Sequence, residues 1–317
     1  MVNGTKRSRG VPIFLCTTTP LLLFLTVLVQ RLVGVWPTSN ALAIFSYAGQ
    51  EHRKTFLAPI RVFEFEKLEK KRIKIEQQYK QGGTGLGSAV WDGAFVLGEY
   101  LQREEPDVLK NKCVVEIGAG LGLVSIVASH MKAAQVIATD GDVNLFPMIQ
   151  KNMEANGVSA VLAAANNGTA TGQRNSSTQV LPLHWGNETE IQQVKESCTG
   201  GQVDVLLAAD VVFEHDPEKQ TKDDLHKSGL TFDSLVLTFT SLSNPDTTLF
   251  LAYKHRYRRE NSFFKKVKEH FTLNAVSRAK IHRDFLSSKI KIYKMKRTNA
   301  KRHSENKKMI NKEEDEL

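Results

Sequence analysis

The sequence predicts an α/β domain: a mostly parallel sheet of seven strands, closed by an antiparallel edge and preceded by a β-hairpin. Two observations predict it. The runs Val114-Val115-Glu116-Ile117, Gln135-Val-Ile-Ala-Thr-Asp140 and Val203-Asp-Val-Leu-Leu-Ala-Ala-Asp210 are largely apolar and end at a glycine turn or an acid, as central parallel strands do when their carboxyl ends face a ligand crevice. Between them stand segments with three- and four-residue apolar spacing, which reads as helix. At 317 residues and 41% apolar composition the chain suits one large domain with appendages.

Arg61-Val-Phe-Glu-Phe65-Glu and Lys71-Arg-Ile-Lys-Ile75-Glu alternate apolar and charged residues, the pattern of a hairpin with one buried face. Gly82-Gly-Thr-Gly-Leu-Gly87 is a flexible loop, and Ser88 is expected to cap a helix carrying Val90, Ala94, Leu97 and Leu101, closed by Pro106. After the glycine turn, Leu121-Gly-Leu-Val-Ser-Ile-Val-Ala-Ser has helical spacing. Residues 146–153 read as the next helix, stopped by Asn156-Gly157. The Ala/Asn/Gly/Ser/Thr stretch 159–178 is expected to be an inserted, mobile loop. Val180-Leu-Pro-Leu-His-Trp185 is then the third core strand, Pro182 hinting at an edge position. Leu235, Leu237 and Phe239 alternate like a strand, but a parallel topology needs a helix before the strand at 247–253, so 232–242 is expected to be helical. A helix over 260–271 and two β-like runs at 272–276 and 289–295 finish the sheet.

The glycine turn carries the chemistry, because strand, turn and helix together offer backbone N–H groups to a nucleotide-like ligand. A dinucleotide fingerprint wants G-x-G-x-x-G, whereas Gly118, Gly120 and Gly122 give G-x-G-x-G and the sixth position is Leu123. Glu116, two residues before the first glycine, and Asp140, ending the next strand, fit S-adenosylmethionine better than NAD. Asp140 can accept from both ribose hydroxyls, and the turn makes room for the methionine portion. The opposing reading, a turn that binds nothing, is disfavoured by the two acids. Methyl transfer from a sulfonium needs a neutral amine aligned with the methyl group, so positioning supplies most of the catalysis. An alkylamine acceptor is protonated near neutral pH and must first lose a proton. Asp210 is expected to hold the incoming ammonium, against a plainer role as a helix cap. Phe213 is expected to wall the acceptor channel with a cation–π contact of about 0.5–2 kcal/mol, against plain packing. His184 and His215 flank these positions, and neither is read as a base.

The net charge of +9 is unevenly placed, with fourteen Lys/Arg against three acids between positions 254 and 296. Such a face suits an acidic protein surface, an anionic membrane or nucleic acid, and equally a solvated lysine-rich surface. Cys16, Cys113 and Cys198 allow at most one disulfide and have no C-x-x-C spacing. Neither a disulfide scaffold nor a zinc site is expected, and Cys113 reads as simply packed. The first fifty residues hold no acid and run uncharged over 11–29, long enough to span a bilayer. An uncleaved anchor over residues 11–35, on an endomembrane such as the endoplasmic reticulum, is the leading expectation. A cleaved signal ending near Ala41-Leu42-Ala43 comes next, and a cytoplasmic or organellar location after processing is the alternative. Glu314-Asp-Glu-Leu317 is one residue from a luminal retention signal and Asn167, Asn175 and Asn187 stand in glycosylation sequons, features that an acidic tail and chance also explain.

Val90-Trp-Asp-Gly-Ala94, Glu116-Ile-Gly-Ala-Gly120, Asp140, Leu183-His-Trp185 and Ala209-Asp-Val-Val-Phe213 follow one another in an order that resembles the seven-β-strand protein-lysine methyltransferases of the methyltransferase-like 21 type, over residues 56–297. The resemblance implies a Rossmann-like class I methyltransferase fold. It implies S-adenosylmethionine contacts from Trp91, Gly118, Ala119, Gly120, Asp140, Trp185 and Ala209, S-adenosylhomocysteine as product, and no metal. Leu251-Ala-Tyr-Lys-His-Arg256 and Asn261-Ser-Phe-Phe264 also resemble that family's fifth strand and following helix. That branch modifies chaperones, translation factors and AAA ATPases, so a non-histone protein bearing the target lysine is the implied partner. Nucleic acid is not expected as a partner, and a monomer is. The family's acid-x-x-Tyr motif reads Asp210-Val-Val-Phe213 here, as in the related calmodulin lysine methyltransferases, which bears on rate and substrate choice more than on reaction class. The implied organisation is a hydrophobic anchor or targeting segment over 1–50, a methyltransferase domain over 51–297 and a disordered charged tail over 298–317. A small-molecule N-methyltransferase shares the cofactor half of such a site. A catalytically weak binding module on the same fold is disfavoured by the intact Glu116, Gly120, Asp140 and Asp210.

Overall fold

The computed structural model describes residues 58–78, 85–162, 177–212, 232–256 and 260–298. The apolar segment 11–35, the tail beyond 298, the sequons at Asn167 and Asn175, and both Phe213 and His215 lie outside the described residues. Among the described residues no helix is long and apolar enough to cross a membrane.

Strict alternation makes the hairpin. Strands β1 (Ile60–Glu64) and β2 (Arg72–Glu76) pair antiparallel, and period two puts Phe63, Ile73 and Ile75 on one buried face. Arg61, 1% exposed, donates to the Val90 carbonyl at 2.6 Å and lies 4.7 Å over the Phe63 ring, which ties the hairpin to the segment that precedes the first helix.

That helix, α1, spans Asp92–Glu104 with Trp91 at its N-cap. Ser88 does not cap it: its hydroxyl donates to the Gly85 carbonyl inside a short 3-10 turn, and the extended Ala89, Val90 and Trp91 delay the start. Then follow β3 (Cys113–Ile117), α2 (Leu123–His130), β4 (Gln135–Asp140), α3 (Phe146–Ala155), β5 (Val161–Leu162), β6 (Thr178–Pro182), α4 (Glu188–Ser197), β7 (Val205–Ala209), α5 (Phe232–Leu242), β8 (Thr248–Lys254), α6 (Glu260–His270), β9 (Phe271–Ala275) and β10 (Ile290–Arg297).

Among the described residues the sheet has eight strands rather than seven, in the order β5-β6-β4-β3-β7-β8-β10-β9. All neighbours are parallel as far as β8, and β10 runs antiparallel between β8 and β9. The extra strand, two residues long, falls inside the stretch read as a loop. It takes the edge that Pro182 suggested for β6. Pro182 instead closes β6 opposite Asp140, a strand end where a missing N–H costs little. Residues 232–242 are helical, as the crossover requires.

Alternate residues of the central strands point to opposite faces. Val114 joins a core with Val96, Val124 and Ile149 from α1, α2 and α3 and with the hairpin's apolar face. Val115 joins a second core with Val194, Phe239 and Phe263 from α4, α5 and α6. Cys113 is bonded to Cys198, which corrects its reading as a merely packed thiol and staples the start of β3 to the residue after α4.

The basic excess beyond position 254 is not one bare face. Lys254 pairs with Asp92, Lys280 with Glu104 and Lys294 with Glu105. The Arg297 guanidinium donates to the Thr240 and Ser243 carbonyls.

Candidate active site

β3 ends at Ile117, and Gly118 (φ 68°) and Gly120 (φ 54°) take the left-handed conformation that side chains resist. A Cβ on Gly118 would sit 2.8 Å from Val211 Cγ1, and one on Gly120 would sit 3.2 Å from the Gly87 carbonyl oxygen. Ala119 N–H donates to the Thr139 carbonyl at 2.8 Å, which stitches the turn to the end of β4. Gly120 N–H donates to Asp140 Oδ2 at 2.8 Å and Asp142 N–H to Asp140 Oδ1 at 3.0 Å. Gly141 N–H is a third backbone donor to it, and with about four lone-pair sites the carboxylate can still accept from a ribose hydroxyl. Burial pushes the Asp140 carboxyl above the usual carboxylate range.

Glu116 takes a supporting place. It is 2% exposed, its Oε2 accepts from Ser125 N–H at 2.7 Å and from the Ser125 hydroxyl, and so it pins the first turn of α2 to β3. Burial pushes its carboxyl up to about 8. The sequence reading placed this acid against the ligand; the geometry directs it into the turn's foundation.

Trp185 borders the turn, its Cζ2 3.9 Å from a Cβ built on Gly118, and packs on the second core. His184 Nδ1 lies 3.0 Å from Glu190 Oε1 on α4, in keeping with a hydrogen-bonded side chain rather than a base.

Asp210 follows β7, and Ala209, the last residue of that strand, pairs with Ala252. Asp210 takes φ 55°, an uncommon conformation for a non-glycine residue, and donates its N–H to the Ala252 carbonyl at 2.9 Å. Its carboxylate is fully engaged in direction. Oδ2 accepts from Gly93 N–H in the first turn of α1 at 2.7 Å, and Oδ1 pairs with the Arg256 guanidinium at 2.9 Å. Asp210 therefore caps α1 from a distant part of the chain, and a second lone pair on each oxygen remains for a further donor. A negative charge is favoured at that helix end. Burial still raises its pKa, against the pull of Arg256 and the Gly93 N–H.

Arg256 also lies 5.6 Å over the Trp91 ring, and the Trp91 indole N–H donates to the Leu86 carbonyl at 2.8 Å. The segment that carries Gly87 and Trp91 thus touches the glycine turn at one end and Asp210's partners at the other. The structure brings Gly118, Ala119, Gly120, Asp140 and Trp185 together, and Trp91 with Asp210. Gly87, Gly93, Val211 and Arg256 join them without having been singled out for the site. Gly93, Val211 and Arg256 each stand inside a stretch that resembles the family, but the resemblance assigned them no role.

A parallel sheet whose first core strand turns through glycines against an acid at the end of its neighbour defines an α/β protein of the methyltransferase class. Residues 67–270 match the family described as "Lysine methyltransferase", and the chain belongs to that family. It is similar to Protein N-lysine methyltransferase METTL21A of Mus musculus, 31% identical over 229 residues, which are 72% of this chain and 85% of that protein. Protein-lysine methyltransferase METTL21E of Mus musculus is 32% identical, covering 71% of this chain and 78% of its own length. EEF1A lysine methyltransferase 3 of Xenopus tropicalis is 30% identical, covering 71% and 81%.

Proposed function

We propose that the protein transfers a methyl group from S-adenosylmethionine to the side-chain amine of a lysine in a non-histone partner protein. One observation carries this: the glycine turn closed by Asp140 lies, through the Gly87–Trp91 segment, beside the Trp91, Asp210 and Arg256 group. The residues fit the donor, since a Cβ would crowd the Gly120 position and Asp140 has acceptor capacity for a ribose. When bound, the donor supplies an electrophilic methyl group. The chain's part is to seat it: Gly118, Ala119 and Gly120 give backbone room, Asp140 orients the sugar, Trp185 borders the base, Ala209 adds a donor contact and Trp91 covers the donor. A chaperone, a translation factor or an AAA ATPase is the substrate class the resemblance favours, and METTL21A, METTL21E and EEF1A lysine methyltransferase 3 support a protein acceptor. Incubating the protein with a cell lysate and radiolabelled S-adenosylmethionine should label a discrete protein band. Label confined to the small-molecule fraction would select the small-molecule N-methyltransferase instead.

We also propose that residues 11–35 anchor the protein to an endomembrane. The uncharged run 11–29 supports this. Protein made in cells should stay in the pellet on carbonate extraction, and release into the supernatant would contradict the anchor. Whether Cys113 and Cys198 resist alkylation until reduced reports the side that the folded domain faces, because disulfides persist in oxidising compartments.

A further inference from the structure

An incoming lysine does not meet a bare carboxylate. Asp210 has a side chain only 2% exposed and is shielded by Arg256, whose side chain is 25% exposed. The same arrangement repeats beside it, where Asp92, 4% exposed, lies 3.5 Å from Lys254 at 36%. Glu260, at the start of α6, is fully buried, accepts from Arg256 N–H at 2.9 Å and is bonded by the Tyr253 hydroxyl. In both ion pairs the acid is inside and the cation faces outward.

We propose that Arg256 is a positioning residue of the acceptor mouth, one that holds Asp210 and the face of Trp91 in place and presents a fixed positive charge to the arriving lysine. The inference rests on the lysine-acceptor reading above. A guanidinium stays charged at every relevant pH. A like charge nearby disfavours the ammonium form, so the amine sheds its proton more readily, and one pKa unit changes the neutral fraction about tenfold below the pKa. The titratable groups that face Arg256 are Asp210 after β7, Tyr253 on β8 and Glu260 at the start of α6, with the Lys254–Asp92 pair beside them. Asp210 and Asp92 lie inside their cations, so Arg256 is the more exposed charge of its pair.

The test is the pH dependence of the initial rate of label incorporation into lysate protein lysine, with donor affinity measured alongside by calorimetry. Arg256→Gln should move the rate profile to higher pH by about one unit and leave S-adenosylmethionine affinity within a few-fold. Arg256→Lys, which keeps the charge, should keep the wild-type profile at a reduced rate. Should Arg256→Gln misfold because Asp210 is left buried and charged, the double variant Asp210→Asn/Arg256→Gln removes both charges and should show the same alkaline shift. An unmoved profile in the folded variant would overturn the proposal while leaving the lysine-acceptor reading intact. Label on small amines alone from the wild-type protein would remove both.

Discussion

Asp210→Ala should lower methylation by about two orders of magnitude, as loss of a positioning contact can, while S-adenosylmethionine affinity stays within a few-fold. Without the carboxylate, Gly93 N–H at the start of α1 loses its 2.7 Å acceptor and Arg256 loses the partner that fixes it over Trp91. The donor seat at Gly120 and Asp140 is built from other strands and is spared. Stability should fall too, by about 1–3 kcal/mol, the cost of leaving a buried donor such as Gly93 N–H without its acceptor, while the quarter-exposed Arg256 can recover water. Asp210→Asn separates the two effects. Its amide oxygen can still accept from Gly93 N–H, so the melting temperature should largely recover while the rate stays low. Initial rates and melting curves on one preparation check this, and an Asp210→Ala protein that methylates at the normal rate would remove Asp210 and Arg256 from the working site.

Gly120→Arg should abolish donor binding. The position has φ 54°, which costs an L-residue roughly 1–2 kcal/mol, and its Cβ would press on the Gly87 carbonyl at 3.2 Å. The long side chain would then be driven toward the space the glycine turn leaves open. Wild-type protein should give heat on titration with S-adenosylmethionine and melt higher in its presence. The linkage is worth about 2.7 kcal/mol when ligand is a hundredfold above its dissociation constant. The variant should show neither response, and NAD should produce neither in either protein. Undiminished binding by Gly120→Arg would place the donor elsewhere.

The parallel centre of the fold was legible because burial on both faces leaves an unmistakable pattern at Val114, Val115 and Ile117 and again from Val205 to Ala209. Helix α5 was recovered by topology rather than by pattern. Leu235, Leu237 and Phe239 alternate, and only the need for a crossover decided between strand and helix. Strand β5 was missed because two residues carry no periodicity. The Cys113–Cys198 bond joins residues 85 apart in sequence, and no local spacing announces such a pairing. The glycine turn and Asp140 were visible as a motif because backbone room and an acid at a strand end are local requirements. The engagement of Asp210 was not, since its partners Gly93 and Arg256 come from other elements and the residue type is the same whether the carboxylate caps a helix or receives a cation. Arg256 ends the stretch that resembles the family's fifth strand, but only packing shows that its guanidinium lies between Asp210 and Trp91.

That a protein lysine accepts the methyl group is tested most directly by excising the labelled band from a lysate incubated with radiolabelled S-adenosylmethionine, hydrolysing it to amino acids and identifying the labelled one. Label in N-methylated lysine, present with the wild-type protein and absent with Gly120→Arg, is the expected result. Label in arginine, histidine or a carboxyl ester, or equal labelling by Gly120→Arg, would contradict it.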